Sequence, residues 1–220
     1  MEITRIRQHP RRDRVRIYVD GEESPRLEVA LDLLAREGLA PGDTLTERRL
    51  AEIEREDAEF RARDAALSLL AHRARSRAEL RRRLLRKDHP ASLIEKVLVW
   101  LDERGYTDDR AFAEAFVRDR LRLRPRGQRG LLSELRGKGV DGATAEAAVA
   151  AVFRAEGIEE SDLARAAAEA WARKNASTLR RARRSPEDRQ RARRRLFGHL
   201  ARRGFTSDVV RSAMDHVLAD

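Results

Sequence analysis

Arginine is the residue through which this chain can do chemistry, and the chemistry it offers is binding. The 220 residues carry 44 Arg and 4 Lys against 38 acids, a net charge of +10. A guanidinium fork meets a phosphate or a carboxylate with two parallel hydrogen bonds, so clustered arginines suit nucleic-acid backbones and acidic protein grooves alike. The first cluster is Arg73, Arg75, Arg77, Arg81, Arg82, Arg83, Arg86 and Lys87. The second, Arg118, Arg120, Arg122, Arg124, Arg126 and Arg129, runs off a helix end into the Pro125–Gly127 loop. The third falls in residues 173–203, where 13 basic groups meet only Glu187 and Asp188; it includes Arg180, Arg181, Arg183, Arg184, Arg193 and Arg194. The plain alternative is a solvated helix face with i, i+4 ion pairs. It is weakest for the third cluster, which lacks compensating acids.

Other chemistries find no footing. Asp108 and Asp109 open a helix after Gly105-Tyr106-Thr107, where adjacent carboxylates read as a cap and a dipole partner rather than an acid–base pair. His9, His72, His89, His199 and His216 are dispersed without metal-ligand spacing. Gly127-x-x-Gly130 and Gly137-Lys138-Gly139 lack the strand-then-helix setting of a phosphate loop. Zero cysteines exclude disulfides, thiolate metal sites and a Cys nucleophile. Trp100, Trp171, Phe112 and Phe116 sit in helical apolar patterns and read as core. No catalytic residue, metal or cofactor is expected.

The elements that position the arginines form a repeat. Leu-x3-Leu-x2-(Lys/Arg) followed by four apolar positions at helical spacing occurs three times with identical offsets. The copies are Leu80, Leu84, Lys87, Ile94, Val97, Leu98, Leu101; Leu131, Leu135, Lys138, Ala145, Ala148, Val149, Val152; and Leu196, Leu200, Arg203, Val210, Ala213, Met214, Val217. Asp88, Gly139 and Gly204 follow the basic residue, where a chain leaves a helix through a left-handed residue. Ser76 with Glu79, Asp141 and Ser185 read as helix caps, and Pro90 and Thr206 or Ser207 as helix starts. The copies start 51 and then 65 residues apart; the additional 14 residues, around Asn175 to Arg184, extend a helix or form a basic loop.

The N-terminus differs. Val15, Ile17 and Val19 alternate with polar residues, Ile3 and Ile6 lie in a second apolar segment, and Leu27 with Val29 suggest a third strand. A short helix to Glu37 stops at Gly38, and a long charged one starts at the cap Thr46. The fold expected is mainly α: three tandem three-helix repeats in an elongated array after a small N-terminal β-containing segment. The divisions are 1–46 for the small sheet and helix, 47–108 for the long first helix and repeat one, 109–158 for repeat two and 159–220 for repeat three. Charge follows this division: residues 1–60 hold 11 Arg and 15 acids, residues 61–220 hold 37 bases and 23 acids. The excess belongs to the repeats, as it should if they meet a polyanion. With no long apolar run and no leader after Met1, a soluble cytoplasmic protein is expected.

Three stretches resemble the RecX family, regulators of the RecA recombinase. They are Ala66 to Leu80 with its Arg73-x-Arg75-Ser76-x-x-Glu79-Leu80 run, Arg104-Gly-Tyr-Thr-Asp-Asp-Arg-Ala-Phe-Ala113, and Leu135-Arg-Gly-Lys-Gly139. The resemblance covers roughly residues 60–220, and Val19-Asp20-Gly21-Glu22 looks like the amino-terminal extension of longer members. Asp88 stands where a Gly is usual, and the third repeat is longer and richer in arginine. The resemblance implies a non-enzymatic, monomeric protein that binds RecA and the RecA–DNA filament. It would inhibit filament extension, strand exchange and the associated ATPase, and so modulate recombination and the SOS response. Weakly specific contact with single- and double-stranded DNA is expected, and no membrane. The rival from another class is a helix-turn-helix transcriptional regulator using one repeat as its reader.

Overall fold

The computed structural model describes residues 1–10 and 13–218, which divide into two compact units. The first comprises Met1–Ala74 and Leu80–Tyr106; the second comprises Arg75–Glu79 and the chain from Thr107 onward.

In the first unit the alternating residues form an antiparallel sheet of β1 (Ile3–Gln8), β2 (Arg14–Val19) and β3 (Leu27–Ala30), with β2 central. Ile6 pairs with Ile17, Ile17 with Leu27 and Val15 with Val29. Period-two side chains land on one face, so Ile3, Val15, Ile17 and Val29 are all buried. They pack with Leu33 of α1 (Leu31–Glu37) and with Leu50 and Ile53 of α2 (Glu47–His72). Thr46 opens α2 as expected, its hydroxyl accepting the Arg49 amide at 3.1 Å. At 26 residues α2 is about 39 Å long, enough to serve two cores. Its later residues Ala62 and Ala66 join Leu80 and Leu84 of α3 (Arg77–Leu85) and the stripe Ile94, Val97, Leu98, Leu101 of α4 (Ala91–Glu103).

One buried charge ties sheet to helix. Asp57, 3% exposed, accepts the Ala30 amide at 2.8 Å and pairs with Arg14 at 3.0 Å and Arg61 at 3.1 Å. Burial pulls the Arg14 guanidinium down, but Asp57 and Glu28 outweigh it and hold the group above its ordinary value.

In the second unit α5 (Asp109–Leu123), α6 (Gln128–Lys138) and α7 (Gly142–Ala155) enclose Phe112, Val117, Leu131, Leu135, Ala145, Val149 and Val152. The last repeat contains α8 (Glu160–Lys174), α9 (Ala176–Ala182), α10 (Pro186–Ala201) and α11 (Ser207–Leu218). Its core holds Trp171, Leu196, Leu200, Val210, Ala213 and Met214, with Val217 half-buried. Every apolar position of the triplicated pattern therefore faces a core. The additional 14 residues neither prolong α8 nor stay a loop. Asn175 turns back on α8, its side-chain amide donating to the Trp171 carbonyl at 2.8 Å, and α9 starts as a separate short helix.

Candidate functional site

The triplicated pattern builds a joint whose parts recur in the second unit. The first helical turn of α3 meets the end of α6: the Ser76 hydroxyl donates to the Lys138 carbonyl at 2.6 Å. The first turn of α6 meets the end of α10 at the same register: the Gly127 amide donates to the Arg203 carbonyl at 3.0 Å. A carboxylate completes each joint. Asp109 accepts the Arg77 amide and Glu160 accepts the Gln128 amide, both at 2.8 Å. Four amides at a helix start lack intrahelical partners, so a carboxylate there also meets the positive end of the dipole. Asp108 caps its own helix through the amides of Arg110 and Ala111, as the sequence suggested. Asp109 instead caps α3, a role the sequence reading missed. The signal was present: Asp109 and Glu160 are 51 residues apart, the spacing of Leu80 and Leu131.

The joint also explains the glycines. A Cβ at Gly204 would lie 2.0 Å from the Gly130 amide nitrogen, and one at Gly139 would lie 2.4 Å from Ala78 Cβ. Gly127 and Gly130 are thus packing surfaces. Asp88 occupies the equivalent turn with φ of 61° but is exposed, so only the backbone conformation constrains it there. Lys138 ends α6, whereas Lys87 and Arg203 stand two residues beyond α3 and α10. Arg203 is half-buried and donates to the Pro125 carbonyl at 3.4 Å. Burial, then Arg124 and Arg126, lower its pKa from the ordinary arginine value.

These contacts sort the arginine clusters. In the first, Arg75 is buried: it is 8% exposed and pairs with Glu79 at 3.3 Å. Arg77 is half-buried, while Arg73, Arg81 and Arg82 are exposed, with Arg81 held to Glu95 at 2.7 Å. In the second cluster Arg120 and Arg126 both clasp Glu134, at 2.6 and 2.8 Å. Arg122 pairs with Asp119 at 3.1 Å, and Arg124 and Arg129 are exposed with no acid partner among the described residues.

The third cluster is different in kind. Helices α9 and α10 pack as a hairpin, and Arg180, Arg181, Arg183, Arg184 and Arg194 are exposed on it without an acid partner among the described residues. Arg193 reaches Asp215 at 3.5 Å. One side of the hairpin is a concavity of about 410 Å³ lined by Thr178, Arg181, Asp188, Arg191, Arg194 and Arg195. The other, of about 330 Å³, is lined by Arg183, Arg184, Arg189 and Arg193 with Ser185, Pro186 and Gln190. Arg191 and Arg195 belong with the sequence candidates, because i, i+3 and i+4 spacing puts them on the Arg194 face. In so dense a cationic surface, mutual repulsion falls when an anion binds, and guanidinium forks supply its hydrogen bonds.

Three family models match in order: RecX, first three-helix domain, over residues 62–101; the second over 108–149; and the third over 159–214. The regulatory protein RecX of Corynebacterium efficiens is 40% identical over 176 residues, covering 77% of this chain and 78% of that protein. The chain belongs to the RecX family. The regulatory protein RecX of Lacticaseibacillus paracasei is 32% identical over 139 residues, 63% of this chain and 57% of that protein. A crystal structure of regulatory protein RecX superposes with a TM-score of 0.69 at 27% identity, covering 97% of this chain and 98% of that one. The three RecX domains coincide with the buried repeats, so the joints lie at the second-helix starts of the first two domains. Among the described residues no helix is long and apolar enough to cross a membrane, and no group of three His, Asp or Glu could hold a metal ion.

Proposed function

We propose that this RecX-family chain binds RecA and the RecA–DNA filament and restrains filament extension, strand exchange and the accompanying ATP turnover. It would thereby modulate recombination and the SOS response, as a cytoplasmic monomer. The ATP belongs to the partner. Beyond family membership, the observation that carries this reading is the α9–α10 hairpin, whose exposed arginines have few acids to neutralise them. Such a surface fits a lattice that presents phosphates and acidic side chains at regular intervals, because many weak contacts combine through effective concentration. Arg180, Arg181, Arg183, Arg184, Arg193 and Arg194, with Arg191 and Arg195, are assigned as the principal contacts. Arg73, Arg77, Arg81, Arg82, Arg122, Arg124, Arg126 and Arg129 are assigned a lesser share. Residues 47–108, 109–158 and 159–220 serve as the working modules, with 1–46 as an appendage to the first.

The test is a titration of the cognate RecA in ATPase and strand-exchange assays, with bare DNA as a binding control. Replacing Arg181, Arg191 and Arg194 together by Glu should weaken inhibition at least about 10-fold, the effect of some 1.4 kcal/mol, while helicity is unchanged. Undiminished inhibition would remove the hairpin from the contact. A preference for one duplex sequence over random DNA of equal length would favour the helix-turn-helix regulator instead.

A further inference from the structure

The first unit carries an exposed aromatic ring, Tyr106, beside Trp100, which itself packs against the core of α2, α3 and α4. Tyr106 follows Gly105, whose φ of 69° turns the chain out of α4, and its amide donates to the Leu101 carbonyl at 2.9 Å. The ring stacks on Trp100 with centroids 5.8 Å apart and planes inclined by 28°. Two cations lie over the Trp100 ring. The Arg104 guanidinium lies 4.7 Å and that of Arg63, from α2, 4.8 Å from the Trp100 ring centroid. Arg63 is steadied by Glu59 one turn earlier. Tyr106 nevertheless remains 53% exposed, in a chain whose other tyrosine and Trp171 are buried. The ring is stacked on Trp100, and about half of the residue is open to solvent.

We propose that Tyr106, backed by Trp100 and flanked by Arg104, is a stacking site for an unpaired base of single-stranded DNA. This rests on the reading that the chain binds DNA and specifies how it tells one form from another. A flat, supported ring beside a guanidinium matches a nucleobase next to its own phosphate. Every base has such a face, so the contact is tolerant of sequence. In a duplex the base faces are covered by their neighbours, so the site selects unpaired strands. The anchored backbone and the packed Trp100 mean that little order has to be imposed on binding.

The experiment compares the full-length chain binding three labelled oligomers of equal length at one salt concentration: oligo-dT, an abasic deoxyribose-phosphate strand, and a duplex. The intact protein should prefer oligo-dT over the abasic strand, and Tyr106→Ala should weaken oligo-dT binding roughly 5- to 150-fold. Abasic and duplex binding should stay within about 2-fold, and Tyr106→Phe should bind oligo-dT as the intact protein does. Equal affinity of the intact protein for oligo-dT and the abasic strand overturns the proposal whether or not any variant folds. So does a folded Tyr106→Ala protein, checked by circular dichroism, that binds oligo-dT normally or loses both single strands equally. Loss of RecA inhibition with unchanged oligomer binding would make this face a protein contact and overturn it too. An intact protein that binds none of the three would instead defeat the DNA-binding reading on which the proposal rests.

Discussion

Asp109 and Glu160 show what a single carboxylate does in this molecule: each accepts the first amide of a helix in the preceding repeat. Asp109→Ala and Glu160→Ala should each cost about 1 kcal/mol, the usual value of a lost cap, read as a fall in the urea midpoint. Asp57 has more to lose, because its removal leaves Arg14 half-buried without its main partner and orphans the Ala30 amide. Asp57→Ala should destabilise by about 3 kcal/mol, the low end for breaking a buried pair, since Arg14 retains Glu28. His199 contributes a pH dependence. Burial first, then Arg203, Arg202 and Lys174, hold its pKa below the ordinary 6.5, so the folded state favours the neutral ring. Stability is therefore full above pH 6.5 and declines as pH falls through the lower folded value. His199→Gln should flatten the loss of stability between about pH 7 and pH 5 in urea melts.

At the scale of elements, the turn between the second and third helices of each repeat is one conformation used under two constraints. Asp88, Gly139 and Gly204 all have positive φ, between 61° and 82°. Backbone strain alone permits Asp, which visits the left-handed region at modest cost. The neighbouring helix start forbids any Cβ at Gly204, so Gly204→Ala should cost about 3 kcal/mol or more by forcing α6 and α10 apart. Asp88→Gly should change stability by less than about 1 kcal/mol. Thermal unfolding of the two variants side by side checks the contrast; a harmless Gly204→Ala would disprove the close joint. The left-handed turns were legible from their place after a helix. The requirement for glycine was not, because the clashing atoms belong to residues 74 positions away.

For the whole molecule, charge separates along the chain, with the positive excess in the repeats. Binding to bare duplex should therefore weaken steeply with salt, with a log–log slope near −0.9 for each phosphate neutralised. A flat salt response would remove phosphate contact from the account. Deleting residues 159–220 takes away the hairpin, the Glu160 cap and the packing over Gly127 and Gly130. The shortened chain should keep a cooperative but less stable fold, because repeat stabilities add largely between neighbours. Circular dichroism melting reads this directly, and a chain without a transition would show that the repeats do not stand as modules.

What the sequence determined by itself was the helical register and the count of repeats. Burial periodicity and cap residues are local, spanning one or two turns, and the identical offsets at Leu80, Leu131 and Leu196 carried the architecture. The basic character of the surface was legible in the same way, from composition. Only the tertiary structure decided which arginines are taken up internally. Glu134 engages Arg120 and Arg126 from another helix, while the arginines of the α9–α10 hairpin have few acids within reach. Those pairings depend on how neighbouring helices and the loop between them pack, and charge, unlike hydrophobic periodicity, leaves no trace along the chain of the partner it will find across space.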